Sequence, residues 1–451
     1  MFFRPYILIN RYIMIVLLFV TPVMSEAGEI LTLKQIISHS VDHNRQLLVS
    51  SESVAQANEA INDMKGKRMP HISVSTAWTY SNSPLQVFGE KLQQKSITTT
   101  DFSPNTLNNP SYQKNYQSRL GLRLPLFAGG ALHAAQKQAE ENAQAAALKF
   151  EFQKQEKIYQ IIVTYMQVLQ YGKELENNKE SVKAANKRWL DTQALQDKGM
   201  ALTSDVMDAH VYVLRRQVAV DEAASAYQAN LEQLALLMGL KRPLAEPVLS
   251  QPVIDMGNDG LNTLLGKASE KRMDFQALQS RWNALSLQRD IAYGNDFPRV
   301  DLVASQEWNS TTPALKHGNA MVGVTVSMNL FNGGSDHAKQ RQAESAYAAT
   351  QWEIADQRQL IANQVRQAWR ALGVAKNRLA REKEVLQQTQ ESLRILSLRY
   401  QQGLETTSRV LDAQVVMDDS GVALLRAQSD LMIAKAALLL AAGLLNEGVV
   451  S

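Results

Sequence analysis

The sequence predicts an α+β membrane protein built from one helix–strand–strand–helix–helix unit used twice. Three observations carry the prediction. A five-residue motif returns in register in the second half, four segments alternate apolar and polar residues with period two, and two proline-free stretches keep helical spacing far longer than a globular domain needs.

The chain begins with Arg4 and Arg11, an apolar run from Ile13 to Val20 that continues weakly to Met24, and then Ser25, Glu26, Ala27 and Gly28. A basic start, a short apolar centre and small residues after it form an export signal, expected over residues 1–27. The run falls short of the roughly 20 residues that a membrane-spanning helix requires. No later segment reaches that length, so any membrane crossing must use strands. The 47 basic and 44 acidic residues leave a formal charge of +3, which offers no field for nucleic acid. The 451 residues include no cysteine. That excludes disulfides, thiolate metal sites and cysteine nucleophiles, and it removes the acceptor for a lipid anchor after the signal.

Leu126, Phe127, Ala128, Gly129 and Gly130 return as Leu330, Phe331, Asn332, Gly333 and Gly334, an offset of 204 (331 − 127). The register persists: Gln136, Ala139 and Glu140 map on Gln340, Ala343 and Glu344, while Gly199, Asp208 and Ala209 map on Gly403, Asp412 and Ala413. A chance match would not stay aligned so far, so the chain is a duplication. Upstream, Pro70 corresponds to Pro298 at an offset of 228 (298 − 70), and residues 81–115, rich in Ser, Asn, Pro and Thr, account for the difference as a long loop. The first repeat is expected over 28–240 and the second over 261–446. A crossover at 241–260 is marked by Pro243, Pro247, Pro252, Gly257 and Gly260.

Strands are expected at about 70–81, 115–127, 298–309 and 319–331. Ile72, Val74, Thr76, Trp78 and Tyr80 share one face, opposite Ser73, Ser75, Ala77 and Thr79. Leu120, Leu122, Leu124 and Leu126 oppose Arg119, Gly121 and Arg123; Val322, Val324, Val326, Met328 and Leu330 oppose Gly323, Thr325, Ser327 and Asn329. Val300, Leu302, Ala304 and Trp308 repeat the pattern less cleanly around Asp301, Ser305 and Glu307. Such strands also suit a soluble sandwich, but each hairpin interrupts very long helices.

Those helices are expected over about 131–197 and 335–402, each roughly 100 Å long if continuous. Leu386, Thr389, Leu393, Leu396 and Tyr400 alternate steps of three and four as a coiled-coil seam does, and Ile158, Ile162, Tyr165 and Leu169 line one face of the first helix. Gly199 and Gly403 end the helices, with Thr203, Ser204, Thr406, Thr407 and Ser408 available to cap the next ones.

With the Leu-Phe-x-Gly-Gly strand ends, the Tyr400–Gly403 tip and the Leu411–Ala413 run that follows it, the chain resembles the TolC-like outer-membrane efflux protein family over nearly all of its mature length. The resemblance implies a homotrimer whose subunits pool four strands each into a 12-stranded outer-membrane β-barrel, continued by a long periplasmic α-helical barrel. It implies surrounding outer-membrane lipid, a periplasmic adaptor and an inner-membrane pump of RND, MFS or ABC type as partners. Cargo would be small toxic compounds or secreted protein, and no cofactor is implied. A passive duct draws its energy from those partners. No nucleophile elbow, Walker loop or dinucleotide fingerprint suggests an enzyme.

Carried over by position, Asp205, Tyr400 and Asp412 match the family's periplasmic iris, where convergent carboxylates narrow the pore. Glu405 stands where an arginine is common and Arg409 where a second aspartate occurs, so a Glu405–Arg409 pair would keep the lock with exchanged charges. The plainer reading of a carboxylate after a turn is a helix N-terminal charge. Lys198, Gly199, Met200, Gln402, Gly403 and Leu404 should form the adaptor-contacting tips, or simply end helices. Phe127, Gly129, Gly130, Phe331, Gly333 and Gly334 should form the strand-to-helix turns. His39 and His43 are i, i+4 but lack the glutamate of a zinc-protease motif, so no metal is expected. His133 and His337 are repeat mates and suggest a proton-sensitive ring. The rival reading is a periplasmic coiled-coil adaptor or scaffold without a barrel, which would have no hairpins with apolar outer faces.

Overall fold

A computed structural model describes residues 30–449 except 243, 245–247 and 258. The expected signal at 1–27 lies outside the described residues, as do Pro243 and Pro247 of the crossover. The first half runs β1 (Ile30–Leu31), α1 (Leu33–His43), α2 (Arg45–Gly66), β2 (His71–Ser81), α3 (Pro84–Gln93), α4 (Pro104–Asn108), β3 (Gln113–Ala128), α5 (Ala131–Asp197) and α6 (Thr203–Leu237). After β4 (Val248–Leu249) the second half runs α7 (Leu261–Lys271), α8 (Met273–Gly294), β5 (Arg299–Ser310), β6 (Gly318–Ser327), α9 (Ser335–Gln401) and α10 (Thr407–Ala441).

The duplication is preserved helix by helix. α5 and α9 each have 67 residues, α6 and α10 each 35, α2 and α8 each 22, and α1 and α7 each 11. Local chemistry sets the ends. Thr32 and Gln35 form a capping box on α1, and Asn44 Oδ1 accepts from the N–H groups of Gln46 and Leu47 to start α2. The Asn44 amide also donates to Leu237 O, which ties the start of α2 to the end of α6.

The core follows the same repeat. One cluster packs Ile36, Ile161, Ile162, Tyr165 and Leu234 with Leu439, and a second packs Leu264, Phe275, Val365 and Leu438. Ile36, Ile161 and Leu234 are the repeat mates of Leu264, Val365 and Leu438, so both halves bury the same stripe of each helix. β1 pairs in parallel with β4 and joins the start of the first half to the crossover.

The main sheet has the order β2–β3–β5–β6, antiparallel throughout, with β2 and β6 at its edges. Register sorts the two faces. Ile72 pairs with Leu122, Val74 with Leu120, Leu124 with Leu302, and Leu302 with Val324, which makes one apolar face. Ser75 pairs with Arg119, Thr79 with Asn115, and Arg119 with Glu307 on the other. The apolar face has no cover among the described residues: Val74 and Val322 are 76% and 75% exposed.

Two sequence expectations change here. The fourth strand ends at Ser327, short of 331, because its neighbour β5 begins at Arg299, the partner of Ser327, and no ladder remains beyond it. β3 instead continues to Ala128 through a bulge between Pro125 and Phe127. The 81–115 segment is also more than a loop. Pro84 and Pro104 open short helices at their first turns, and one 3₁₀ turn at Thr99–Phe102 lies between them.

The strand-to-helix turns need glycine for two reasons. Gly130 and Gly334 cap α5 and α9 in the left-handed region, at φ +79° and +80°. Gly129, at φ +60°, also lies against the end of α8, where an added Cβ would sit 2.1 Å from Gly294 O. Gly130 has open space around it. Gly130→Ala should therefore cost only the left-handed strain of about 1–2 kcal/mol. Gly129→Ala must also push α5 from α8 and should lower the melting temperature further, as differential scanning calorimetry in detergent would measure.

Candidate functional site: the tip turns and the clasp behind them

α5 and α9 end alike. The N–H of Gly199 bonds to Gln196 O at 2.8 Å and that of Met200 to Leu195 O at 2.8 Å; Gly403 and Leu404 bond to Tyr400 O and Arg399 O, both at 2.9 Å. This paired pattern is the Schellman motif, and the φ of +69° and +73° at Gly199 and Gly403 suits it to glycine. The turns leave Lys198, Met200, Gln402 and Leu404 on the outside of two blunt hairpin ends.

The sequence-predicted iris residues divide into three behaviours. Asp205 reaches back to its own helix start, where Leu202 N–H donates to Asp205 Oδ2 at 3.0 Å, so its carboxylate is used as a helix-terminal charge. Tyr400 Oη accepts from Thr407 Oγ1 at 3.2 Å across the second tip, and Glu405 pairs with Arg409 at 3.3 Å and with Arg399 at 3.7 Å. Asp412 lies exposed and makes no side-chain hydrogen bond or ion pair among the described residues. The Glu405–Arg409 contact expected from the exchanged charges is thus formed. With both arginines more than half exposed, it is worth no more than about 1 kcal/mol.

Behind the tips lies a stronger polar contact that sequence reasoning missed. Asp418 on α10, with its side chain 8% exposed, accepts from Tyr212 Oη at 2.5 Å, from Gln414 Nε2 at 3.0 Å and from Ser181 Oγ at 3.4 Å. Arg216 approaches it at 3.6 Å. Tyr212 and Arg216 are on α6 and Ser181 on α5, so one buried carboxylate clasps the first-half helix pair to the second. Burial, then the hydrogen bond to Asp418, pushes the Tyr212 hydroxyl far above its ordinary pKa, so it stays a donor at any physiological pH. Ala185, Ala209, Val213 and Leu411 pack around it. The repeat could not reveal this contact, because the mates of Tyr212 and Asp418 are Val416 and Leu214. A Tyr and an Arg spaced i, i+4 beside apolar positions were the only signal.

The histidine candidates stay apart from this site. His39 and His43 stack at 4.3 Å on α1, and no group of three metal-ligating side chains occurs among the described residues. His133 and His337 sit exposed at the starts of α5 and α9, His337 Nδ1 lying 3.2 Å from Gln340 Oε1. No described helix is long and apolar enough to cross a membrane.

A sheet with a bare apolar face, set at one end of helices about 100 Å long, defines the class of outer-membrane export channels. The chain belongs to the outer membrane efflux protein family, whose description matches residues 36–240 and 264–444. It is 23% identical over 293 residues to the outer membrane efflux protein BepC of Brucella suis, covering 64% of this chain and 63% of that relative. It is 22% identical over 347 residues to the alkaline protease secretion protein AprF of Pseudomonas aeruginosa, covering 74% of this chain and 70% of that one. Among solved structures, the fold is similar to the outer membrane protein VceC of Vibrio cholerae, with a TM-score of 0.75 at 18% identity over 91% of this chain and 96% of that one.

Removing the Asp418 carboxylate strands a buried arginine and tyrosine together. Asp418→Ala should destabilise the helical region by on the order of 3 kcal/mol. Tyr212→Phe, which loses one hydrogen bond, should cost about 1 kcal/mol. Thermal melts in detergent followed by circular dichroism would rank the two; equal melting temperatures for Asp418→Ala and parent would refute the clasp.

Proposed function

We propose that three copies of this chain close a 12-stranded barrel in the outer membrane and continue it as a helical tunnel through the periplasm, forming a passive exit duct. One observation carries this reading: the chain contains only one copy of the contact that joins its two halves. β3 pairs with β5, yet their repeat mates β6 and β2 are left as open edges. α5 packs along α8 of the other half, while the corresponding packing of α9 on α2 is not made. Another copy supplies both, and edges exposed to lipid make it obligatory, since unpaired backbone groups there cost several kcal/mol each.

The apolar face has the right height for a bilayer. β2 has 11 residues; at about 3.3 Å per residue and a tilt near 40° they span roughly 25 Å, the apolar band of an outer-membrane barrel. Trp78, Tyr80, Tyr112 and Tyr116 cluster toward one end of it, as an interfacial aromatic girdle would. This face weighs against a periplasmic adaptor or scaffold, which would have no use for it. The tips would meet an adaptor recruited by an inner-membrane pump. Cargo would be small toxic compounds or, by analogy with the secretion relative, protein.

Glycine at the seam gives a direct test of assembly. Gly66, the mate of Gly294, has nothing within 4 Å of an added Cβ, whereas at Gly294 that Cβ would lie 2.9 Å from Gly129 O and 3.1 Å from Ala131 Cβ. Gly66→Leu should leave the subunit folded but abolish heat-resistant trimers on gels; trimers as stable as the parent's would refute this seam. For conduction, Glu405→Ala and Asp412→Ala should each enlarge single-channel steps in planar bilayers by at least about twofold. Folded trimers that never conduct would point back to the scaffold.

A further inference from the structure

The loop that doubles the first hairpin's length folds inward, onto the polar face of the sheet. α3 packs on β3 and β5, and its side-chain anchors are residues of that face. Glu90 accepts from Thr79 Oγ1 at 2.6 Å, and Gln94 Nε2 donates to Asn115 Oδ1 and Lys114 O, both at 2.9 Å. The chain of contacts continues from Asn115 to Asn309 Oδ1 at 2.9 Å, from Asn309 to Glu307 Oε1 at 2.9 Å, and from Arg119 to Glu307 Oε2 at 2.6 Å. Val87, Glu90, Gln94, Asn115 and Asn309 are all buried. Lys91 and Asp101 pin the far side of the loop at 2.6 Å. Their hydrogen bond and that of the Thr98 N–H hold Asp101 at a pKa of about 2, so the pin stays charged at neutral and mildly acidic pH.

The opposite side of this segment is apolar and bare. Leu85, Leu92 and Phe102 are 85%, 52% and 59% exposed, and Phe88 stands edge-on to Phe102 at 5.8 Å. No such structure exists in the second half, where residues 311–317 link β5 to β6 directly. In the barrel proposed above, on which this inference rests, the polar face is the lumen. A helix with its side chains is about 10 Å across, and a 12-stranded lumen is intermediate between small barrels filled by side chains and open porins. Three inward helices would occupy much of it.

We propose that residues 82–112 form an exit-side filter, in which three copies of α3 line the barrel mouth and present Leu85, Leu92 and Phe102 to departing cargo. The filter narrows the exit and favours apolar cargo. It acts independently of the tips, which lie at the other end of the long helices. Glu90 makes the seat releasable: its Oε2 is buried without a hydrogen-bond partner, a cost that lifting α3 into water removes.

Bilayer recordings on full-length protein, with the tips opened by Glu405→Ala, test both halves of the proposal. Leu85→Asp changes a side chain that is 85% exposed, so folding is spared; three carboxylates at the exit should shift the reversal potential in a KCl gradient toward cation selectivity. An unchanged reversal potential in conducting channels would overturn the filter while leaving the duct standing. Replacing residues 84–110 with a short Gly-Ser linker should raise conductance by at least about twofold over the Glu405→Ala parent, and equal conductance from heat-resistant trimers would overturn it as well. Silence from every variant, Glu405→Ala included, would overturn the duct and the filter with it.

Discussion

In the proposed barrel, every strand placed in hydrocarbon must find hydrogen-bond partners for its backbone, and among the described residues the main sheet has four strands with two open edges. The sheet therefore cannot be a finished object. Its two open edges, its bare apolar face and the vacant counterpart of the α5–α8 packing are three views of the same incompleteness. In the proposed trimer the duplication resolves that incompleteness, because a chain whose halves already fit each other edge to edge would carry both sides of the joint it makes with the next copy. Matched helix lengths in the two halves suit that assembly, since a joint made within the chain and a joint made between chains would have to meet at the same height.

The polar contacts along the helices form a gradient of strength. At the tips the pairs are exposed: Arg409 and Arg399 flank Glu405 in water, where each contact contributes little and is screened by salt. Behind them the Asp418 carboxylate is buried against Tyr212, Arg216, Gln414 and Ser181. In the proposed duct, this arrangement would let the tips loosen while the buried clasp holds the helices together. The Asp205 side chain fits the same logic, since its bond to Leu202 N–H stabilises the start of α6 whatever the neighbouring hairpin does.

Most of the architecture was legible because it rests on periodicity. The period-two stretches from Ile72 and from Leu120 became β2 and β3, and the proline-free runs became α5 and α9 with their ends at Gly199 and Gly403. The tip pair Glu405–Arg409 was legible from the exchanged charges against the family pattern together with its i, i+4 spacing. What escaped depends on tertiary partners. Strand β6 stops opposite the residue where β5 begins, which the apolar alternation through Leu330 could not reveal. The helices between 84 and 108 are held by side chains distant in sequence, Thr79 and Asn115 among them. The Tyr212–Asp418 bond breaks the repeat and links residues 206 apart in sequence.

The equal 67-residue lengths of α5 and α9 have an evolutionary reading. An α-helix turns by about 100° per residue, so inserting or deleting one residue in either would swing every later side chain off its seam, and the tip with it. A single-residue length change in either helix should therefore be strongly disfavoured. Length variation is expected in the hairpin loops, or else in both halves together in steps near seven or eleven residues that restore the phase. The 82–112 and 311–317 segments, free of that phase constraint, are where the two halves have diverged most in size.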